Sequence, residues 1–99
     1  MLDEFDIPEK VKASIQKAMD ILKSAGCTEI YLFGSIAEGR YCSTSDIDIA
    51  VKSLSKSIYF KVYGEILAEI GSVVDLVVLD YKNDFVKILE KEGTLKRVA

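Results

Sequence analysis

Two aspartates at the start of an apolar strand constrain this chain more than any other feature of its sequence. The segment "DIDIAV", Asp46 to Val51, alternates acidic and apolar residues and then stays apolar, which is typical of a β-strand. Residues two apart on a strand face the same side, so Asp46 and Asp48 project together with Cα atoms about 6.5–7 Å apart. A carboxylate in an apolar strand is costly unless a partner compensates for it. Alone, the pair also fits a strand with one solvated face, and only its combination with neighbouring motifs indicates a functional site.

The order of periodic segments along the chain predicts an α/β fold. Apolar residues recur at helical spacing from Pro8 to Gly26, and again between the polar segment 53–57 and Gly71. A last helix is expected over Asn83 to Glu92. Strands are expected at Thr28–Phe33, Asp46–Val51 and Val73–Asp80, and the C-terminal "TLKRVA" is expected to add a short strand or to fray. We expect one domain over residues 1–99, a small mixed sheet of three to four strands backed by about three helices.

Two packing expectations follow from the later elements. The third strand, "VVDLVVLD", is too apolar overall for an exposed edge, so we expect it inside the sheet. On the last helix, the spacing of apolar residues predicts that Phe85, Ile88 and Leu89 face inward.

A third carboxylate, Asp75, lies within the next predicted strand. If the two strands pair, Asp75 reaches the same face as Asp46 and Asp48. Carboxylates about 5 Å apart repel by roughly 3 kcal/mol per pair at an effective dielectric near 20, so the arrangement favours bound divalent cations. Oxygen ligands without His or Cys favour Mg²⁺ or Mn²⁺ over zinc.

The Gly34–Ser35 pair predicts the other half of the site. A strand that ends in a glycine turn allows backbone N–H groups to approach an anion, and Ser35 adds a hydroxyl donor. The spacer to Asp46 is long enough for the chain to loop over and return beside the first strand. Phosphates held at this turn would face metals held by the aspartates, which is the arrangement of metal-assisted nucleotidyl transfer. A P-loop is excluded because Arg40 and Tyr41 stand where Lys and Ser/Thr are required.

The composition argues against several other classes of function. The chain of 99 residues contains no histidine, which excludes imidazole as a base or ligand. Its formal net charge of −3 argues against an extended nucleic-acid surface. Cys27 and Cys42 lack CxxC spacing, so we expect reduced thiols in a cytoplasmic protein. The acidic start, "MLDEFDIPEK", is unlike a signal peptide, and no apolar run approaches the ~20 residues of a membrane span.

These residues together resemble a known signature. The segment "FGSIAEGRYCSTSDIDIAV" is similar to the nucleotidyltransferase motif of the DNA polymerase β superfamily, hG[GS], a spacer of about ten residues, then Dh[DE]h. The named positions are filled by Phe33, Gly34, Ser35, Asp46, Ile47, Asp48 and Ile49. The size and the element order resemble the minimal nucleotidyltransferase (MNT) proteins over nearly the whole chain. The resemblance implies a polymerase β-like palm.

The resemblance also implies roles for individual residues. Asp46, Asp48 and Asp75 would bind two Mg²⁺ ions, with Mn²⁺ as an alternative, and Asp75 would help to activate the attacking hydroxyl. Gly34 and Ser35 would hold the β- and γ-phosphates of ATP or another nucleoside triphosphate.

One position departs from the family pattern. Related sequences often read GSxARG, and here Glu38 occupies the arginine position. If that arginine normally steadies the triphosphate, Arg40 is the candidate to replace it as a nucleotide-binding residue. The alternative is that Arg40 is a solvated surface charge.

The family context implies a protein partner. Minimal members are typically encoded beside a HEPN-domain protein, and the resemblance implies an antitoxin that transfers AMP from ATP to a tyrosine of a HEPN ribonuclease toxin. A polymerase-like site needs walls for the base and a platform for the acceptor, which a second protein or a second copy of this chain would supply. The alternative is a non-catalytic binding module that neutralises or scaffolds the HEPN partner by contact. Glu38 favours that alternative, whereas the three intact acidic positions favour the enzyme.

Overall fold

Helices and strands follow one another in the predicted order in the computed structural model, which describes residues 2–42, 44–71 and 73–99. The helices are α1 (Glu9–Ser24), α2 (Gly34–Ala37), α3 (Lys56–Ile70) and α4 (Asp84–Glu92), after a 3-10 turn at Leu2–Glu4. The strands are β1 (Glu29–Phe33), β2 (Ile47–Lys52), β3 (Val74–Val78) and β4 (Lys96–Arg97). The α/β class is confirmed. The connection after β1 begins with the short helix α2, and residue 43 of that connection lies outside the described residues.

The four strands form one mixed sheet in the order β3-β2-β1-β4. Strand β1 is antiparallel to both β2 and β4, whereas β2 and β3 run parallel, joined by α3. The parallel register makes Asp48 and Asp75 direct Cα partners, and the antiparallel register places Phe33 opposite Asp48. The residue that ends β1 and the two aspartates therefore lie side by side across three strands.

The main core lies between one face of the sheet and the helices α1 and α3. Apolar residues at alternate strand positions meet the apolar stripes of both helices, as the two periodicities require. The most deeply buried members are Ile15, Met19, Leu22, Ile30, Leu32, Ile49, Val51, Ile66 and Val74. This packing fixes the strands, and hence the aspartates on the opposite face.

Helix α4 covers part of that opposite face, with a different side inward from the one we predicted. Val86 and Leu89 are buried against Phe33, whereas Phe85 and Ile88 are 53% and 58% exposed. The prediction was wrong for Phe85 and Ile88 and right for Leu89. The cap fixes where this helix begins, since the Val86 N–H donates to Asn83 Oδ1 at 2.9 Å, and the packing of Val86 and Leu89 on the sheet decides which side faces inward.

The prediction that the third strand lies inside the sheet was also wrong, because β3 is an edge strand. Its alternate carbonyls point away from β2, but side-chain and backbone donors protect them, which is how natural sheets keep an apolar edge from pairing with another chain. The protected groups are Val74 O with Tyr63 Oη, Leu76 O with Tyr59 Oη at 2.5 Å, and Val78 O with the Tyr81 N–H at 3.1 Å. Within the described residues, no helix has both the length and the apolar character that a membrane span requires.

Candidate active site

Gly34 begins α2 directly after β1, at a position that only glycine fits. Its φ of +70° is in the left-handed region, which costs residues with a Cβ. A Cβ built on residue 34 would lie 2.1 Å from Asp48 Oδ2 and 3.1 Å from its Cγ. The backbone at the end of β1 therefore lies too close to the Asp48 carboxylate for residue 34 to carry a side chain.

A second carboxyl group, that of Asp75, lies on the other side of Asp48. The two residues are Cα partners in the parallel register of β2 and β3. Burial, followed by the interaction with Asp75 and by the charge of Asp46, raises the pKa of Asp48 to about 6. The structure thus brings Asp48 and Asp75 together on one face, as the sequence predicted.

Asp46 lies at the margin of this pair. Strand β2 begins at Ile47, one residue later than predicted, so Asp46 belongs to the exposed connection before the strand. Its charge reaches Asp48 and contributes to the raised pKa. Among the described residues, no three Asp, Glu, Cys or His side chains are gathered closely enough to hold a metal ion. The structure therefore assembles two of the three predicted carboxylates and leaves the third nearby.

The donor set nevertheless fits a hard divalent cation. Every candidate ligand is a carboxylate oxygen, the type that Mg²⁺ and Mn²⁺ prefer. The negative charge of Asp75 contributes to the raised pKa of Asp48, and a cation bound beside the two carboxylates would relieve this repulsion. At Gly34 the Asp48 carboxylate occupies the space that a side chain would fill, so no Cβ separates the turn from this candidate ligand.

The remaining predicted residues lie on or just after α2. Ser35 is half-buried, and its carbonyl accepts the Arg40 N–H at 2.8 Å, which closes the turn that follows the helix. The Arg40 side chain forms an ion pair with Glu38, with Nη2 2.9 Å from Oε1, and both side chains are exposed. Glu38, which occupies the usual arginine position of the family, thus forms an ion pair with Arg40, the residue proposed to take over the role of that arginine.

An aromatic cleft beside the site was not predicted. It has a volume of about 440 Å³ and lies between β3, the start of α3 and the start of α4. Phe85 links it to the site, since its ring centroid is 6.3 Å from that of Phe33, the residue before Gly34. The available signal was Phe60, which is 82% exposed and lies off the apolar stripe of its helix.

The family model described as polymerase beta, nucleotidyltransferase, matches residues 9–97. A structure described as a toxin-antitoxin with AMP-PNP is 28% identical, with a TM-score of 0.64, over 81% of this chain and 69% of that chain. A mutant of the toxin-antitoxin MntA-HpeT is 26% identical, with a TM-score of 0.66, over 86% of this chain and 71% of that one.

A third structure, described as a putative minimal nucleotidyltransferase, is 19% identical, with a TM-score of 0.66, over 86% of this chain and 91% of that chain. At that identity the similarity concerns the fold alone. A comparison with curated proteins finds no match. The family model confirms the resemblance drawn from the sequence.

Proposed function

This chain belongs to the polymerase beta nucleotidyltransferase family, and on that premise we propose that it transfers a nucleoside monophosphate to a hydroxyl of a partner protein. The donor is ATP, and the acceptor is a tyrosine of a HEPN ribonuclease toxin, so that the chain acts as an antitoxin. One observation carries the proposal: Asp48 lies between the glycine that starts α2 and the carboxyl group of Asp75. Three chain segments converge there on one exposed face.

Gly34 and Ser35 bind the triphosphate, and Asp46, Asp48 and Asp75 hold two Mg²⁺ ions, with Mn²⁺ as a substitute. When bound, the cations neutralise the charge that builds up on the phosphates. Asp46 joins the other two by turning its exposed side chain inward. Because Asp48 and Asp75 are parts of neighbouring strands, their positions need no such rearrangement.

The reaction is a displacement at phosphorus. The acceptor oxygen forms a bond to the α-phosphorus while the bond from the α-phosphorus to the bridging oxygen of pyrophosphate breaks, and pyrophosphate leaves. The hydroxyl proton passes to the Asp75 carboxylate and from there to water. Asp75 is suited to this role because it is exposed on the edge strand, where an acceptor can approach.

The partner and its compartment are supported by separate observations. Two similar structures at 28% and 26% identity are described as toxin-antitoxin structures. Cys27 and Cys42 are free thiols, in keeping with the cytoplasm. The partner, or a second copy of this chain, supplies the walls for the base.

Mass spectrometry of the co-expressed HEPN partner tests the proposal. We expect a mass increase of one adenylyl group, on a peptide that contains a tyrosine, when the unaltered chain is present. The matched control is Asp48→Asn, which keeps the side-chain size and removes the charge. An unmodified partner in the presence of folded, unaltered chain would overturn the proposal.

A second candidate function is a non-catalytic antitoxin that neutralises its partner by contact. The ion pair between Glu38 and Arg40 favours it, because it engages a positive charge that would otherwise be free to bind phosphate. This candidate predicts that Asp48→Asn protects cells from the toxin as well as the unaltered chain does. Loss of protection in that variant would exclude it.

A further inference from the structure

The aromatic cleft lies on the Asp75 side of the candidate site. Strand β3 forms its floor with Leu76, Val77 and Val78, the residues that follow Asp75 in the same strand. The remaining lining residues are Lys56, Tyr59, Phe60, Tyr81, Asn83 and Phe85. The cleft is therefore a continuation of the edge strand that carries the third carboxylate.

Two contacts connect the cleft to the site itself. The phenol of Tyr59 donates to the carbonyl of Leu76, the residue that follows Asp75 in β3. On the other wall, Phe85 packs against Phe33. A molecule in the cleft thus lies along the same edge strand as Asp75, one residue further on.

The strand order indicates the side from which an acceptor approaches the candidate site. The proposed phosphate-binding residue Gly34 lies on the β1 side of Asp48, whereas Asp75 lies on the β3 side. In a displacement at phosphorus, the leaving group and the incoming oxygen lie on opposite sides of the reacting atom. An acceptor therefore enters from the β3 side, where the cleft lies.

The lining selects among acceptors. The rings of Phe60 and Phe85 are 82% and 53% exposed, so they can contact another ring edge to face. Among the described residues that line the cleft, Lys56 carries the only formal charge, and it lies 5.0 Å from the Tyr81 ring centroid. This lining suits a neutral aromatic side chain and disfavours a cationic one.

The edge also limits how a partner can bind. The carbonyls of Val74, Leu76 and Val78 that point away from β2 already accept hydrogen bonds. A partner segment therefore cannot extend the sheet by strand addition without displacing them. The protected edge therefore favours binding through a side chain inserted into the cleft over strand addition.

We propose that this cleft is the acceptor subsite, in which Phe60 and Phe85 bind the phenolic ring of a partner tyrosine and hold its hydroxyl toward Asp75. The inference rests on the proposed function for the identity of the reaction. The location of the subsite and the residues that form it come from the cleft.

The test is an NMR titration of the isotope-labelled chain with two separate probes. N-acetyl-tyrosinamide represents the acceptor, and AMP-PNP with Mg²⁺ represents the donor. We expect the phenolic probe to shift the amide signals of Phe60, Val77 and Phe85, and the nucleotide to shift those of Gly34 and Ser35. N-acetyl-serinamide, which lacks the ring, should leave the cleft signals unchanged.

Phe85→Ala and Phe60→Ala should each weaken binding of the phenolic probe roughly tenfold, the effect expected of an aromatic anchor. Ile88→Ala is the matched control, because Ile88 is exposed on the same helix as Phe85 and lies outside the cleft lining. It should leave binding of the probe unchanged.

Three outcomes overturn the subsite: phenolic shifts elsewhere, no phenolic shifts in a chain that still binds nucleotide at Gly34, or nucleotide shifts in the cleft. The last would assign the cleft to the base. Phenolic shifts in the cleft without any nucleotide binding would overturn the proposed function and leave the cleft as a phenol-binding site.

Discussion

The Asp48 carboxylate lies so close to Gly34 that a Cβ on residue 34 would come within 2.1 Å of Oδ2. Gly34 is the first residue of α2 and Asp48 belongs to β2, and they meet because Phe33, at the end of β1, is the register partner of Asp48. The contact joins the proposed phosphate-binding turn to the proposed metal-binding carboxylates. The account therefore makes specific predictions about both residues.

Gly34→Ala should abolish nucleotide binding and lower the free energy of unfolding by about 1–3 kcal/mol, through the positive φ and the overlap with Asp48. Gly39→Ala is the matched control, since its φ of +73° imposes the same backbone cost while a Cβ there meets nothing within 4 Å. Denaturant unfolding and titration with AMP-PNP measure both effects. Equal losses of stability and of nucleotide binding in the two variants would show that the contact between residue 34 and Asp48 contributes to neither.

Asp48 should make the fold less stable as pH rises. Its pKa is raised from 3.8 to about 6, so the folded state binds this proton more tightly than the unfolded state does. The stabilising effect of the protonated carboxyl is present below pH 3.8 and is lost as pH rises through about 6. After allowance for the partial exposure of the group, we expect a loss of about 1 kcal/mol.

Thermal melts of the unaltered chain and of Asp48→Asn, recorded across that pH window, isolate this effect from the other carboxylates. The unaltered chain should lose melting temperature relative to the variant as pH rises, and Mg²⁺ at pH 8 should restore part of the loss. Parallel pH profiles for the two proteins would contradict the raised pKa of Asp48.

Glu38→Ala should strengthen nucleotide binding severalfold, because it releases Arg40 from an exposed ion pair of 2.9 Å. Arg40→Ala should weaken binding, and the double variant should resemble Arg40→Ala. Stability should change by less than about 0.5 kcal/mol in each case. Glu90→Ala, which breaks the exposed pair of Lys82 and Glu90 elsewhere on the surface, is the control. Unchanged affinity in both single variants would make Arg40 a surface charge only.

Tyr63→Phe should expose an edge carbonyl of β3 by removing the hydroxyl that donates to Val74 O. We expect a loss of about 1 kcal/mol in the free energy of unfolding and an increased tendency to associate through the edge. Size-exclusion chromatography and denaturant unfolding measure the two effects. A variant as stable and as monodisperse as the unaltered chain would show that the Tyr63 hydroxyl does not protect the β3 edge.

The juxtaposition of Asp48 and Asp75 could be predicted from the sequence, because it needs only the two-residue period of a strand and the pairing of β2 with β3. The position of Gly34 beside Asp48 could be predicted for a similar reason. When a strand ends in Gly-Ser and the chain returns after a short loop, the turn lies beside the returning strand. Strand periodicity and turn patterns are therefore enough to predict which site residues lie side by side when those residues belong to neighbouring strands or to the turn that joins them.

Other features depend on packing that the sequence pattern does not contain. The position of β3 at the edge could not be predicted from its apolar character, because the tyrosine hydroxyls that protect it come from α3. Phe85 and Val86 both fit a helical stripe, and packing against Phe33 and Leu89 in the tertiary structure selects Val86 as the buried residue. Asp46 was assigned to the strand because alternation does not mark where pairing begins.

The most direct test of the account is transfer of label from ATP labelled at the α-phosphate to the purified HEPN partner. Asp48→Asn and Asp75→Asn should each reduce the rate on the order of a hundredfold or more while melting cooperatively. Asp20→Asn, on the exposed face of α1, should label the partner at the unaltered rate. Full labelling by a folded Asp48→Asn or Asp75→Asn variant would contradict the proposed site.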